Sequence, residues 1–441
     1  GTDRVEVQFG SAGALFGYEA IGGSVHLSTA PTKKEGLQGA FSQTIGSFGL
    51  NQTALAAAYG NPNLRFQSKV YNQDQPNTFR YRDISRAGAP WERQSHAAFK
   101  QRGVLQDVWW QANPHAQVKT SFWWNQAQRE IQPLIGSSTQ DTQADKSIRV
   151  VIDYQYQKKS SLWKLKGAWV ADQLHFNEEE NQTRQGLLGL DWELPSAGNW
   201  AIRAGTRGTW LNTKLSAYTA TEQRWEAYQS LGWQKGEHIS VSINLRQLAY
   251  PNELVPFLPG LGLDWRLFEN DRTSIQLKTA FGLGLKLPTL NDRYWEPGGN
   301  PNLRPEKSQN GELGFQLKRK GTFSWSQRLT YYQMQVDDWI LWLPKGALWT
   351  PENIREVHNQ GLEYQGESSW ITGHWNWQIN ISYTYSSTRD LGQEESQQLP
   401  YSPKHQGNAG LQVKRDDFAL DLSGFYVGQR SIASGDSRIL E

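Results

Sequence analysis

The chain has 441 residues, with 45 Lys and Arg against 43 Asp and Glu for a formal charge of +2, and it contains 41 Gly, 21 Trp and no Cys. That balance gives no basic surface for nucleic acid, and the lack of Cys excludes a disulfide framework or a thiolate metal site. No run approaches the ~18 continuous apolar residues of a membrane helix. The mean hydropathy of −0.69 suits a soluble protein, but equally a membrane β-barrel, whose strands are apolar on one face only.

In chain order, the first 31 residues are rich in Gly and Ala, and from residue 37 a two-residue alternation takes over. Nineteen strands are predicted, the first ten at 37–46, 49–59, 64–72, 94–112, 115–130, 147–157, 161–171, 183–193, 198–211 and 221–233. The other nine are 237–249, 258–268, 273–285, 306–318, 322–335, 359–370, 374–386, 406–415 and 417–428. In Ile275 to Leu285, Ile275, Leu277, Thr279, Phe281, Leu283 and Leu285 share one face, while Gln276, Lys278, Ala280, Gly282 and Gly284 share the other. Helical spacing does not fit this pattern.

From the third strand onward, short turns such as Asn113-Pro114, Gln157 to Ser160 and Arg319 to Gly321 alternate with long loops at 73–93, 131–146, 172–182, 286–305, 336–358 and 387–405. One trimmed and one elaborated end is the asymmetry of an outer-membrane barrel. A soluble sandwich or propeller is the alternative, but a propeller repeats every ~40 to 50 residues and its connections do not sort by parity. Trp and Tyr also cluster near strand ends, as at Trp109, Trp110, Trp123, Trp124, Trp192, Trp233, Trp265, Trp325 and Trp339, where rings suit membrane interfaces.

A Lys on the lipid face near the midplane costs ~2 to 4 kcal/mol. Lys164, Lys166 and Lys278 are therefore expected in the lumen, with Trp163, Leu165, Trp169, Leu277 and Phe281 in lipid. Bacterial single-chain barrels have even strand numbers, so an odd number of further strands is expected beyond Glu441.

Two stretches carry a family resemblance. "DRVEVQFGSAGALFGYEAIGGSVHLST" (Asp3 to Thr29) resembles the end of the plug domain of TonB-dependent outer-membrane receptors, and "LPTLNDRYWEPGGNPNLRPEKSQNGELGF" (Leu287 to Phe315) resembles a loop and strand of their barrel. The resemblance implies an all-β transmembrane antiparallel barrel of about 22 strands with a plugged lumen. Residues 1–31 would be the end of the plug, and 32–441 a barrel lacking its last strands. It further implies a monomer in outer-membrane lipid, in a Gram-negative bacterium. An external loop crown would bind a scarce ligand, and plug movement driven by the inner-membrane proton gradient through TonB would admit it. The energy-coupling box would lie upstream of Gly1, and Phe9 stands before Gly10 where the family often has Arg. The glycines Gly10, Gly13, Gly17, Gly22 and Gly23 allow tight turns, while Ala12, Ala14 and Ala20 keep the segment slim.

Arg4 of the plug is expected to pair with Glu312 or Glu306 of the barrel. Ligand contacts are expected from Phe79, Arg80, Tyr81 and Arg82, from Arg293, Tyr294 and Trp295, and from Trp339, Trp342 and Trp349. Arg forks suit anionic chelates, and flat rings suit corrin, porphyrin or catecholate surfaces. Glu178, Glu179 and Glu180 form an acidic run that could hold Ca²⁺ or be a solvated loop. The eight His residues show no metal-ligand spacing and no G-x-S-x-G elbow occurs. No cofactor and no catalysis are expected, and the Asp337-Asp338 pair reads as solvated loop. The cargo is expected to be an iron-siderophore complex or cobalamin. Haem ranks behind them because no His lies between Gly282 and Leu303, and an outer-membrane hydrolase is the rival from another class.

Overall fold

The structure, a computed structural model, describes every residue except 1–3, 10–16, 20, 22, 31–34, 251–252, 347, 393–397, 433–437 and 441. Gly10, Gly13, Gly22, Ala12, Ala14 and Ala20 therefore lie outside the described residues, as does the expected end of the plug at Pro31. Ahead of the barrel, Arg4–Phe9 and Gly23–Ser28 form a separate antiparallel pair. Gly17 and Gly23 have φ of 144° and 146°, a backbone region that side chains with a Cβ rarely enter.

The barrel sheet has twenty strands among the described residues. Glu253–Leu254 is a two-residue extension paired with the end of Ile239–Tyr250, which leaves nineteen that span, from Gly36–Ile45 to Phe418–Val427. Every registered ladder is antiparallel, as at Gly36–Ile45 with Asn51–Gly60 and His405–Arg415 with Phe418–Val427. The strand order is that of a closed barrel, with the last strand beside the first. Both are exposed along almost their whole length.

The faces follow the desolvation argument. Lys164 pairs with Glu193 at 2.9 Å, Lys166 with Asp153 at 3.3 Å and Lys278 with Asp264 at 3.1 Å, each across neighbouring strands. Trp163, Leu165, Trp169 and Phe281 project from the opposite face and are exposed, as lipid-facing side chains of a lone barrel must be. At the short-turn end, Phe323, Trp370 and Trp377 line up across three strands, the last two rings stacked at 5.9 Å, and Trp375 meets Phe418 edge-on. Such a belt belongs at a membrane–water boundary.

The long-loop end differs from expectation. Phe323–Lys345 and Leu348–Thr372 are strands of 23 and 25 residues, roughly 75 Å or more of chain against an apolar band ~25 Å tall. Most of the expected loop 336–358 is thus a projecting hairpin. Asp337 and Asp338 lie inside it at a bulge, where Asp338 has φ of 57° and pairs with Arg304 at 2.6 Å. Likewise Ser161–Phe176 and Glu179–Ala197 replace most of the loop 172–182. Beyond the membrane both faces of a strand are wet, so alternation is no longer required and the strand reads as a polar loop.

Candidate functional site

Between the long-loop end and the inner strand pair lies a chain of charged side chains. Tyr18 is buried against Leu248, Val255, Leu258, Leu285 and Leu287 of the barrel wall. Its phenol oxygen accepts a hydrogen bond from Nη1 of Arg224, and that same nitrogen lies 3.0 Å from Oε1 of Glu19. Burial pushes the Tyr18 phenol well above its ordinary range, so it stays protonated. Arg224 sits on Thr219–Lys235 with Glu222 two residues away on the same lumen face. The Nε of Arg224 donates to Glu222, whose other oxygen accepts from Nη2 of Arg293. Glu19, Arg224, Glu222 and Arg293 therefore form one continuous chain, and the last three side chains are almost wholly buried.

Arg293 is held by the short helix Leu290–Tyr294. Thr289 caps it, accepting from the Asp292 N–H while Asp292 accepts from the Thr289 N–H at 2.9 Å, the reciprocal pattern of a capping box. Outside contacts fix the helix further: Trp342 Nε1 donates to Asp292 Oδ1 at 2.9 Å and the Tyr218 hydroxyl to Asn291 Oδ1 at 2.6 Å. Burial raises the Tyr218 phenol, which keeps it a donor. The Arg293 guanidinium lies between the rings of Tyr250 at 5.2 Å and Tyr294 at 5.0 Å, a cation–π arrangement.

The Gly/Pro/Asn loop that follows is fastened to the projecting hairpin. Asn353 accepts from the Arg304 N–H and donates to its carbonyl, both at 2.8 Å. Gly298 has φ of 127°, and a Cβ there would meet the Trp349 carbonyl oxygen at 2.3 Å, so only Gly fits.

The expected site residues divide into three sets. Arg293 faces inward and is engaged by Glu222, so it is not available as an exposed ligand contact; a loop Arg looks solvated in sequence because its partner lies 71 positions away. Tyr294, Trp295 and Trp349 are exposed. Trp342 joins them through Asp292, and Trp339 lies at the bulge of the same hairpin. Phe79, Arg80, Tyr81 and Arg82 form a separate group, in which Phe79 packs on Phe48 at 5.7 Å and on Tyr81 at 6.5 Å.

Arg4, Glu306 and Glu312, the expected coupling residues, each have other neighbours in this structure. Arg4 pairs with Glu6 on its own strand, as alternate residues on one strand face can. Glu306 pairs with Lys286 at 3.1 Å and accepts from the Ile340 N–H at 3.2 Å. Glu312 lines the lumen with Lys278, Arg328 and Glu363. Among its contacts with the barrel, the segment ahead of it meets Arg224 through Tyr18 and Glu19. Of the acidic run, Glu180 accepts from Gln173 and Gln182, and Glu179 from Ser216 at 3.2 Å. Among the described residues no group of three metal-ligating side chains gathers. Sequence reasoning missed Tyr18, Glu19, Glu222 and Arg224; the readable signal was the alternating charge of Glu222, Arg224 and Glu226 on one strand face.

A closed antiparallel sheet with paired lysines on one face, exposed apolar side chains on the other and a strand pair outside the sheet defines a β-barrel of the membrane type. The chain belongs to the TonB dependent receptor-like β-barrel family, whose model matches residues 6–439. Members of that family are transport receptors of the outer membrane. The vitamin B12 transporter BtuB of Photobacterium profundum is 24% identical over 97% of this chain and 69% of its own length. Among solved structures, the FrpB iron transporter from Neisseria meningitidis superposes with a TM-score of 0.80 at 12% identity, covering 99% of this chain and 77% of that one. The siderophore receptor PirA from Acinetobacter baumannii gives 0.77 at 16% identity, covering 97% and 73%. At such identities the likeness to the solved structures is one of fold.

Proposed function

We propose that this protein takes up a scarce ligand, an iron-siderophore complex or cobalamin, binding it at the long-loop end and admitting it by plug movement that TonB drives. The observation that carries the reading is the chain Glu19, Arg224, Glu222, Arg293, which joins a plug residue to a loop helix through buried charges. Removing one member of a buried pair costs about 3 to 5 kcal/mol because the other charge is left uncompensated. A ligand that moves the helix Leu290–Tyr294 must therefore move Arg293, and Glu222 and Arg224 must rearrange with it. In the reverse direction, a pull on the plug at Glu19 is felt at the loop. The exposed rings of Tyr294, Trp295 and Trp349 supply flat surfaces beside that helix, with Trp339 and Trp342 behind them. The named cargoes of the relatives, vitamin B12 and siderophores, support the two cargo classes without choosing between them.

The test is whole-cell uptake of labelled cyanocobalamin and of a panel of ferric siderophores, with and without the proton gradient. Gradient-dependent uptake of one ligand, lost in a Glu222→Gln variant that still reaches the outer membrane, supports the reading. Uptake unchanged in that variant overturns the coupling role, and no uptake of any ligand by the unaltered protein overturns the transport assignment.

A further inference from the structure

The outward wall of the barrel carries a groove of about 690 Å³ at the level of Trp169, Trp210 and Trp225. Gly186 lies directly across the ladder from Trp169 on one side and from Trp210 on the other. The three positions therefore share one face, and the missing side chain at Gly186 leaves a gap between two indoles. Trp210 meets Trp225 edge-on at 5.3 Å, and the two rings close the far side over Gly208, where an added Cβ would strike both. Trp169 and Trp225 are exposed on the face opposite the paired Lys164 and Lys166, which is the lipid side.

The depth of the groove follows from the strand Trp200–Lys214, whose outward face holds both Trp200 and Trp210, ten positions apart. At ~3.3 Å per residue and a strand tilt of ~40°, the two rings are about 25 Å apart along the membrane normal, the height of the apolar band of such barrels. Trp210 thus marks the boundary at the long-loop end, and Asn212 and Lys214 beyond it stand at headgroup level. Arg184 pairs across the ladder with Asn212, and Gln182 with Lys214, so both cations share the outward face on neighbouring strands. Both are exposed, and among the described residues neither forms an ion pair. Glu180, farther out on the same face, accepts from Gln173 and Gln182 and lies 4.0 Å from His175, while Lys214 acts on it through space.

We infer that this groove binds a phosphate-bearing anionic lipid of the leaflet on the long-loop side. One acyl chain lies over Gly186 between Trp169 and Trp210, and Arg184 and Lys214 hold the headgroup phosphate. The wall at Gly208 and Trp225 is deeper than Trp210, in hydrocarbon, so an acyl chain is the occupant that reaches it. At the rim a guanidinium fork matches phosphate oxygens, and cations at headgroup level attract anionic lipid. Thr221 and Gln223, which line the groove, alternate along one strand with Glu222 and Arg224 of the lumen face. The lipid therefore covers the outside of the wall whose inner side carries the buried charges, whatever the cargo.

The test uses the protein purified from outer membranes into a neutral detergent, with native mass spectrometry after addition of phosphatidylglycerol, phosphatidylcholine or inorganic phosphate. Unaltered protein is compared with R184Q/K214Q, which removes the cations, and with Gly186→Leu, which fills the gap. A Cβ at Gly186 has room, its nearest neighbour being the Trp210 ring at 3.9 Å, and an unchanged unfolding midpoint in detergent confirms that each variant is folded. The expected result is one phosphatidylglycerol retained per chain, about tenfold more strongly than phosphatidylcholine, with retention reduced about tenfold in each variant. Equal retention of the two lipids, or phosphatidylglycerol retention that either variant leaves unchanged, overturns the site. Inorganic phosphate that binds as tightly as the lipid and is insensitive to Gly186→Leu reveals a surface cation pair without a lipid groove, and overturns it as well.

Discussion

The Nη1 of Arg224 lies 3.0 Å from Oε1 of Glu19, which precedes it by 205 positions. This contact ties the segment ahead of the barrel to the barrel wall, and through Glu222 it reaches Arg293 on the helix Leu290–Tyr294. The chain is buried at its centre and exposed at its Glu19 end, so its energetic weight falls on Glu222.

Glu222→Gln keeps the shape of the side chain but leaves Arg293 without its counter-charge and Arg224 with the exposed Glu19 alone. The expected loss is about 3 kcal/mol or more, read as a lower unfolding midpoint in detergent. Restoring charge balance with Arg293→Gln should recover part of that loss, since the two residues touch and are expected to be non-additive.

Trp342→Phe retains a ring but removes the indole N–H that bonds Asp292. A hydrogen bond to a charged group contributes about 1.5 to 3 kcal/mol, so the helix Leu290–Tyr294 should open more often. Hydrogen exchange at the amides of Arg293 and Trp295, which bond the Thr289 and Asn291 carbonyls, should speed up at least tenfold while that of the barrel strands does not change.

Gly298→Ala places a methyl against the Trp349 carbonyl and forces a φ that Ala disfavours. The loop must shift, at a cost of about 1 to 3 kcal/mol. Weaker ligand binding with an unchanged barrel unfolding midpoint is the expected result, measured by titration and by thermal melting of the same sample.

Phe281→Lys and Lys278→Leu test the register. The first puts a cation on the lipid face, at ~2 to 4 kcal/mol if near the midplane, and should reduce assembly into the outer membrane. The second removes the partner of Asp264 in the wet lumen and should have the smaller effect. The opposite ranking, read from membrane-fraction immunoblots, would mean the faces are reversed.

The nineteen spanning strands were legible because lipid demands an apolar residue at every second position, as at Leu277 and Phe281. Above the membrane that demand lapses, which is why Asp337 and Asp338 read as loop although they lie in a strand. The paired lysines could be placed because a charge in lipid has no alternative to the lumen. The Glu19 to Arg293 chain was not legible, since no local pattern records that positions 19, 224 and 293 meet. Arg4 and Glu312 were matched by charge alone, and charge without register does not select a partner.

The central claim is that the plug segment and the outer loop helix are energetically one unit. It is tested most directly by a double-mutant cycle on Glu19→Gln and Arg293→Gln, with ligand affinity as the readout. These residues do not touch, so independent sites would give effects that add within about 0.5 kcal/mol. The account predicts a coupling energy of about 1 kcal/mol or more, carried by Arg224 and Glu222, whereas strict additivity would contradict it.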